Sequence, residues 1–403
     1  MTESENLKKT KPAFFLRKAF SMFFLLGLVF KTHGQKIPDC LIGYTELRTN
    51  LPGGRQPNVN TMRAAVVGAN GKGRRQLANQ LISDPNTMTQ FAGWSPDGKL
   101  AIIGSGWKSP ENARWEEENK SFRNTEGNMR YDSYLFDIER NTLTSPTQVD
   151  RVSYSNTGLF FWPGDSAKLG FTALINNISH PFKMDRDGRN KVDLTRSIDG
   201  FTYGFSASKD GRYVAYHKDY QVYIAKSDGS DARRIETGNH FNFAPQWSPD
   251  GRYLLFVSGE RNTSCDPYLV DFDGPNPVKL ADRNGYKGSI EFLDVFDYHE
   301  GSSDVPVWSA DGKSVFYTAI LENAVELFQI YPGQRPVRLT HSEPGTLHYH
   351  PKPSPDGKWL LYGSKRKGVR QLFMMELKGQ AERQITKMKE GTAAMWPHWQ
   401  PVR

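Results

Sequence analysis

Apolar residues come in short runs of six to eight, and each run follows a tight polar corner. Trp94-Ser-Pro-Asp-Gly98 leads into KLAIIGSG, Trp247-Ser-Pro-Asp-Gly251 into RYLLFVSG, Trp308-Ser-Ala-Asp-Gly312 into KSVFYTA, and Pro353-Ser-Pro-Asp-Gly357 into KWLLYGS. Two weaker copies, Ser206-Ala-Ser-Lys-Asp-Gly211 and Trp162-Pro-Gly-Asp165, lead into RYVAYH and AKLGFTA. Each run is succeeded by a second one, such as QVYIAKSDG, DPYLVDFDG, VELFQIYPG or QLFMMELKG, and then by a short closing segment such as VRLT or RQIT. Runs of this length rich in Val, Ile, Tyr and Phe predict strands. Asp-Gly corners predict hairpins, because glycine takes a positive φ without steric cost. No amphipathic helical pattern runs for long in the main body.

A unit of about four short strands cannot bury both faces alone, so such units must stack on one another. Radial stacking gives a β-propeller. Six units start near residues 92, 160, 204, 245, 306 and 351. The ends supply a seventh: Trp396-Pro-His-Trp-Gln-Pro401 opens like a repeat and then stops, while residues 42–50 and 62–77 resemble the missing later strands. The expected fold class is therefore all-β, a seven-bladed propeller closed by strands from the two termini. A six-bladed ring with a loose N-terminal segment is the alternative.

The first 34 residues stand apart. Lys8, Lys9, Lys11, Arg17 and Lys18 precede a 12-residue apolar run, Ala19 to Phe30, and a polar exit follows. That order describes a secretory signal peptide, and the run is short of the ~20 residues that span a bilayer. The expected organisation is a leader over 1–34 and one propeller domain over 35–403, in the periplasm or secreted, with no membrane span once the leader is removed; the other reading keeps the leader as an anchor. The leader also accounts for half of the formal net charge of +8, because it holds six of the 52 Lys/Arg and two of the 44 Asp/Glu. The rest is scattered apart from Lys365-Arg366-Lys367 and Arg370, read as a solvated turn, so no nucleic-acid partner is expected. Cys40 and Cys265 are the only cysteines, enough for one bridge and no framework.

The W-S-P-D-G-K unit with its closing L-T resembles the repeat of TolB-type propellers, best over 245–386 and more weakly over roughly 40–400. The resemblance speaks for the fold; that scaffold also carries lyases and peptidase propellers. Chemistry must come from particular residues. No G-x-S-x-G occurs, and Gly68-Ala-Asn-Gly-Lys-Gly73 lacks the spacing of a phosphate loop and reads as a turn. The recurrent Asp97, Asp250, Asp311 and Asp356 belong to their corners.

Five histidines, His240, His299, His348, His350 and His398, fall just before or within a repeat start, where first strands would line a central channel. His348-x-His350 is an alternating pair, which on a regular strand puts both rings on one side. Three neutral imidazoles suit a divalent transition metal; hydrogen-bonded channel histidines that bind nothing are the plain alternative. The oligogalacturonate lyases, propellers with the same repeat, hold a manganese-type ion with histidines and a glutamine. Similarity to them implies metal ligands at His299, His348 and His350 and a base at His240, although Gly345 stands where that family has its glutamine. Two insertions, 107–130 and 282–304, add loops of the kind that carry binding residues. The expected function is an exported module in the cell envelope that binds a protein or an acidic glycan. The alternative is a metal-dependent polysaccharide lyase.

Overall fold

A computed structural model describes residues 36–401 except 53–54, 120–122, 124–126, 150, 153–157, 177, 196–201, 262–263, 275, 287–303 and 367. The leader and most of the second insertion lie outside the described residues. Among the described residues the strands form seven antiparallel sets of four, numbered here as blades. Blade 2 is Thr87–Trp94, Leu100–Lys108, Met129–Asp137 and Thr142–Thr144; blade 3 is Leu159–Phe161, Lys168–Ile175, Ile178–Asp185 and Val192–Asp193. Blade 4 begins at Thr202–Ala207, blade 5 at Phe241–Trp247, blade 6 at Val307–Trp308 and blade 7 at Leu347–Pro353. Blade 1 takes its first strand, Thr392–Trp399, from the C-terminus and its others, Leu41–Arg48, Arg63–Gly68 and Arg75–Gln76, from the N-terminal part. The closure expected from the two chain ends is thus an antiparallel pairing of Thr392–Trp399 with Leu41–Arg48. Blades 6, 7 and 1 are further joined by parallel bridges, Val325 to Leu347 and Arg370 to Ala393.

Each repeat corner is built in the same way. The Ser95 hydroxyl donates to Asp97 Oδ1 (2.6 Å) and accepts from the Leu100 amide (2.9 Å), while Gly98 takes φ +70°. Ser208, Ser248, Ser309 and Ser354 repeat this bond to Asp210, Asp250, Asp311 and Asp356. The recurrent aspartates are therefore turn residues. Tryptophans then latch blade to blade: Trp94, Trp308 and Trp399 donate Nε1–H to the carbonyls of His398, Gln246 and Lys352 in the preceding blade.

The closing L-T has its own task. Thr340 and Thr386 accept the amides of Leu327 and Leu372 on the third strands (2.9 and 2.8 Å), which ties the short fourth strand down. Apolar clusters fill each gap between consecutive blades, including that between blades 7 and 1, where Leu361, Leu372 and Met374 meet Ile42, Val67, Ala394 and Trp399.

Two short helices, Arg55–Asn60 and Pro110–Asn119, interrupt the all-β pattern. The second lies in the first insertion, which spans 109–128 because 107–108 and 129–130 belong to strands. It is held by a buried ion pair, Lys108 Nζ to Glu116 (2.8 Å), and packs beside the first helix. Cys40 and Cys265 are buried free thiols, and burial pushes them up to about 11 and about 12. Residues 68–73 form the turn read from the sequence, with the Gly68 amide donating to the Lys72 carbonyl.

Deleting 392–403 would leave Leu41–Arg48 as an open strand edge and remove Ala394 and Trp399 from the blade 7–1 cluster, where each large apolar side chain contributes roughly 1.5–3 kcal/mol. The expected result is insoluble protein or a large fall in melting temperature; a truncated chain that melts like the mature one would rule this closure out. Ser208→Ala should cost about 1 kcal/mol in denaturant unfolding. It should also flatten the acid limb. The Ser208 hydroxyl, ahead of the Arg212 bonds, holds the Asp210 carboxyl at about 2, below its unfolded value, so this contribution is present near neutrality and lost as pH falls from about 4 toward 2.

Candidate functional site

The first-strand pairings of blades 1, 2, 4, 5 and 7 carry a register shift. The register shifts between Phe243 and Gln246 in blade 5 and between Tyr349 and Lys352 in blade 7. In blades 5, 7 and 1 the residue ahead of the bulge proline, Ala244, His350 or Trp396, takes a positive φ near +50°. Because alanine adopts it in blade 5, the conformation belongs to the repeat. What differs is the side chain displayed there. Blades 7 and 1 place His350 and Trp396 in this strained position, their rings stacked at 5.7 Å, and the Trp396 amide donates to His350 Nδ1 (3.4 Å).

Two residues further along, Lys352 and His398 occupy the place that Gln246 takes in blade 5. Gln246 bridges to the Pro306 carbonyl of the next blade (3.1 Å). The Lys352 side chain makes no hydrogen bond or ion pair among the described residues, and protein crowds it, so burial lowers its pKa while Asp304 opposes the shift. Its side chain is still partly accessible. Burial first, then the charges of Lys352 and His350, hold His398 at about 3, so His398 is neutral at neutral pH.

Among the described residues, the carboxylate that acts on Lys352 is Asp304, and it is already engaged. Asp304 Oδ1 accepts the His350 amide (2.7 Å), and Oδ2 accepts the Thr318 hydroxyl (2.7 Å) and lies 4.0 Å from Arg283. Arg283 and Asp304, both buried, clamp the two ends of the second insertion. Where blades 6, 7 and 1 meet, the described residues thus bring together an amine (Lys352), two imidazoles (His350 and His398) and an indole (Trp396), beside the committed Asp304. The arrangement can receive a carboxylate or another anion.

The four histidines expected to form the site are distributed differently. His299 lies outside the described residues. His240 is exposed on the rim and pairs with Glu260 (2.8 Å). The bulge breaks the alternation that the H-x-H spacing predicts, so His348 and His350 share no partner. His350 faces Trp396, whereas His348 Nε2 bonds the Ser342 hydroxyl (2.8 Å) and its ring meets Tyr362 edge-on at 5.4 Å.

His348 there joins a buried hub centred on Glu326. Burial works against that carboxylate, but bonds from Thr340, the Ser342 amide and Arg338 outweigh it and lower its pKa. Burial and Arg366 push His348 well below the usual range. Blade 7 builds the same hub from Gln371, which accepts from Thr386 (2.8 Å) and the Met388 amide (2.7 Å). Among the described residues no three His, Cys, Asp or Glu side chains are grouped to hold a metal ion. Lys352 carried no signal in the sequence beyond sitting where Gln246 sits in its own repeat.

Comparison with known proteins supports this architecture. No protein-family model matches the chain. TolB from Acinetobacter baumannii superposes with a TM-score of 0.50 at 16% identity, covering 90% of this chain and 67% of that one. The chain shares the β-propeller fold of that TolB. An oligogalacturonate lyase in complex with manganese has a TM-score of 0.55 at 13% identity, covering 82% of this propeller and 84% of the lyase. An uncharacterized protein of Agrobacterium fabrum is 24% identical over 300 residues, 68% of this chain and 96% of its own length. A Bacillus subtilis peptidase and TolB sequences also match, over a quarter or less of their length.

Replacing Lys352 by Met removes a charge that depresses His398. In an NMR titration the His398 pKa should rise from about 3, yet stay below 6.5 because burial remains the larger cause. No movement would mean that Lys352 does not face His398.

Proposed function

We propose that this chain is an exported propeller of the cell envelope that works as a binding module, receiving an acidic group of a protein or glycan where blades 6, 7 and 1 meet. The observation that carries this reading is Lys352, a crowded side chain with no ionic partner among the described residues, beside Asp304, whose two oxygens already accept the His350 amide and the Thr318 hydroxyl. A half-buried ammonium without an ionic partner is costly, and a partner's carboxylate would offset that cost. The likeness to TolB and the basic, apolar leader favour the envelope as the place of action; no helix among the described residues is long and apolar enough to cross a membrane.

The lyase reading draws its support from the likeness to the manganese-bound oligogalacturonate lyase. It would need His299, His348 and His350 to act together as ligands with His240 as base. His348 instead bonds Ser342 and His240 pairs with Glu260, and no step through a metal follows from the described donors.

Mass spectrometry of the processed protein should find a mature chain beginning near Gln35 outside the cytoplasm, and an intact Met1 in the cytosol would overturn export. Crosslinking in intact cells should trap an envelope partner with the native chain and lose it with Lys352→Met at unchanged melting temperature. Retention of the partner by that variant would count against binding at Lys352. Stoichiometric manganese in the purified mature protein, lost with His348→Ala, would favour the lyase instead.

A further inference from the structure

At the end of the blades that carries the repeat corners, the gaps between blades are not all sealed alike. Between blades 4 and 5, and between blades 5 and 6, the first residue of the second strand sets its ring against the tryptophan of the next blade. Tyr213 lies 6.3 Å from Trp247 and Tyr253 lies 6.4 Å from Trp308. Trp359 and Trp399 share the cluster between blades 7 and 1. The gap between blades 2 and 3 has smaller residues at both positions. Leu100 takes the tyrosine's place, its carbonyl accepting the Ser95 amide as that of Tyr213 accepts the Ser208 amide. Phe161 takes the tryptophan's place, paired with Leu169 as Trp247 is paired with Leu254. A cleft of about 780 Å³ opens there, a size suited to a small molecule.

Strand alternation decides what lines it. Phe136 and Leu143 of blade 2 pack toward blade 1, so Leu135, Thr142 and Thr144 are left to line the cleft toward blade 3. Leu100 and Leu135, which also belong to the cluster between blades 2 and 3, supply its apolar part. Blade 3 contributes Ser166 and the turn at 185–189. Gly188, at φ +87°, sets that turn against the chain leaving blade 2, where a Cβ would lie 2.5 Å from the Pro146 carbonyl oxygen.

The acids that line the cleft are occupied. Asp137 pairs with Arg140 (3.0 Å), Asp187 with Arg189 (2.6 Å) and Asp185 with Lys168. Arg186 is held only by its backbone, its amide donating to the Ala167 carbonyl (2.8 Å). The side chains of Arg186, Thr142, Thr144 and Ser166 are exposed and bond nothing among the described residues. All four can donate hydrogen bonds and one is a fixed cation. An unpaired cation on a flat surface is ordinary; here it shares a concave site with three open hydroxyls and two leucines.

We propose that the cleft between blades 2 and 3 binds a small organic anion with an apolar body. Its carboxylate or phosphate would meet Arg186 and the hydroxyls, and its hydrocarbon would cover Leu100 and Leu135. The site is separate from Lys352, which belongs to blade 7.

The test titrates the purified mature protein with octanoate, octyl phosphate, 1-octanol and acetate, followed by calorimetry and ligand-observed NMR. One or both octyl anions should bind at least tenfold more tightly than octanol or acetate, and the tighter of the two identifies the head group. Arg186→Met should weaken that binding at least tenfold at unchanged melting temperature. Leu100→Tyr/Phe161→Trp, which restores the aromatic pair of blades 4 and 5, should fill the cleft and abolish binding while the propeller stays folded. Octanol binding as tightly as the anions would overturn the proposal, and so would acetate doing so. Absence of binding, or an Arg186→Met variant that binds like the native chain, would overturn it as well. Lys352→Met should leave octanoate binding intact, so failure of this cleft and failure of the site at Lys352 are read separately.

Discussion

The structure depends on one constraint: a four-stranded blade has two apolar faces and no second layer of its own to cover them. Every blade is therefore stable only between neighbours, and the last neighbour must be the first. The pairing of Thr392–Trp399 with Leu41–Arg48 meets that requirement, since blade 1 cannot be completed without strands from both ends of the domain. Its first strand contacts blade 7 on one side and blade 2 on the other, through Arg370–Ala393 and through the Trp94 bond to the His398 carbonyl. Loss of this strand would leave Leu41–Arg48 as an open edge and cut the blade 7–1 cluster at once.

Within that frame the repeat separates structural polarity from polarity that the fold does not use. Ser-Asp corners, L-T latches and the hubs at Glu326 and Gln371 satisfy one another internally, and they recur because each blade faces the same backbone problem. His348 is absorbed into this class, and in blade 3 His180 occupies the place of Glu326 and Gln371, bonded to Asp193 (2.9 Å). Lys352 is not absorbed: it stands where blade 5 has Gln246, and its side chain has no ion pair among the described residues.

Much of the fold was legible in the sequence because its physical causes are local. An Asp-Gly corner, a six-to-eight-residue apolar run and a closing L-T are each decided by neighbouring residues, and their repetition implies stacking whatever the ligand. Trp396-Pro-His-Trp even showed that the C-terminus opens a unit it cannot finish. The helix at Pro110–Asn119 was hidden because its one buried ion pair, Lys108 with Glu116, reads in sequence as two ordinary surface charges.

The site was less legible. Histidine spacing does not give direction, because a bulge and a φ of +51° at His350 turn that ring toward Trp396, whereas His348 bonds Ser342. Bulge geometry and the convergence of Lys352 and His398 from separate blades arise only when the ring is assembled. The sequence by itself determined the unit, its corners and the need for closure, since those follow from interactions a few residues apart. Which polar side chains are consumed by the fold and which remain for a partner was decided by tertiary structure, because that depends on residues brought together from hundreds of positions apart.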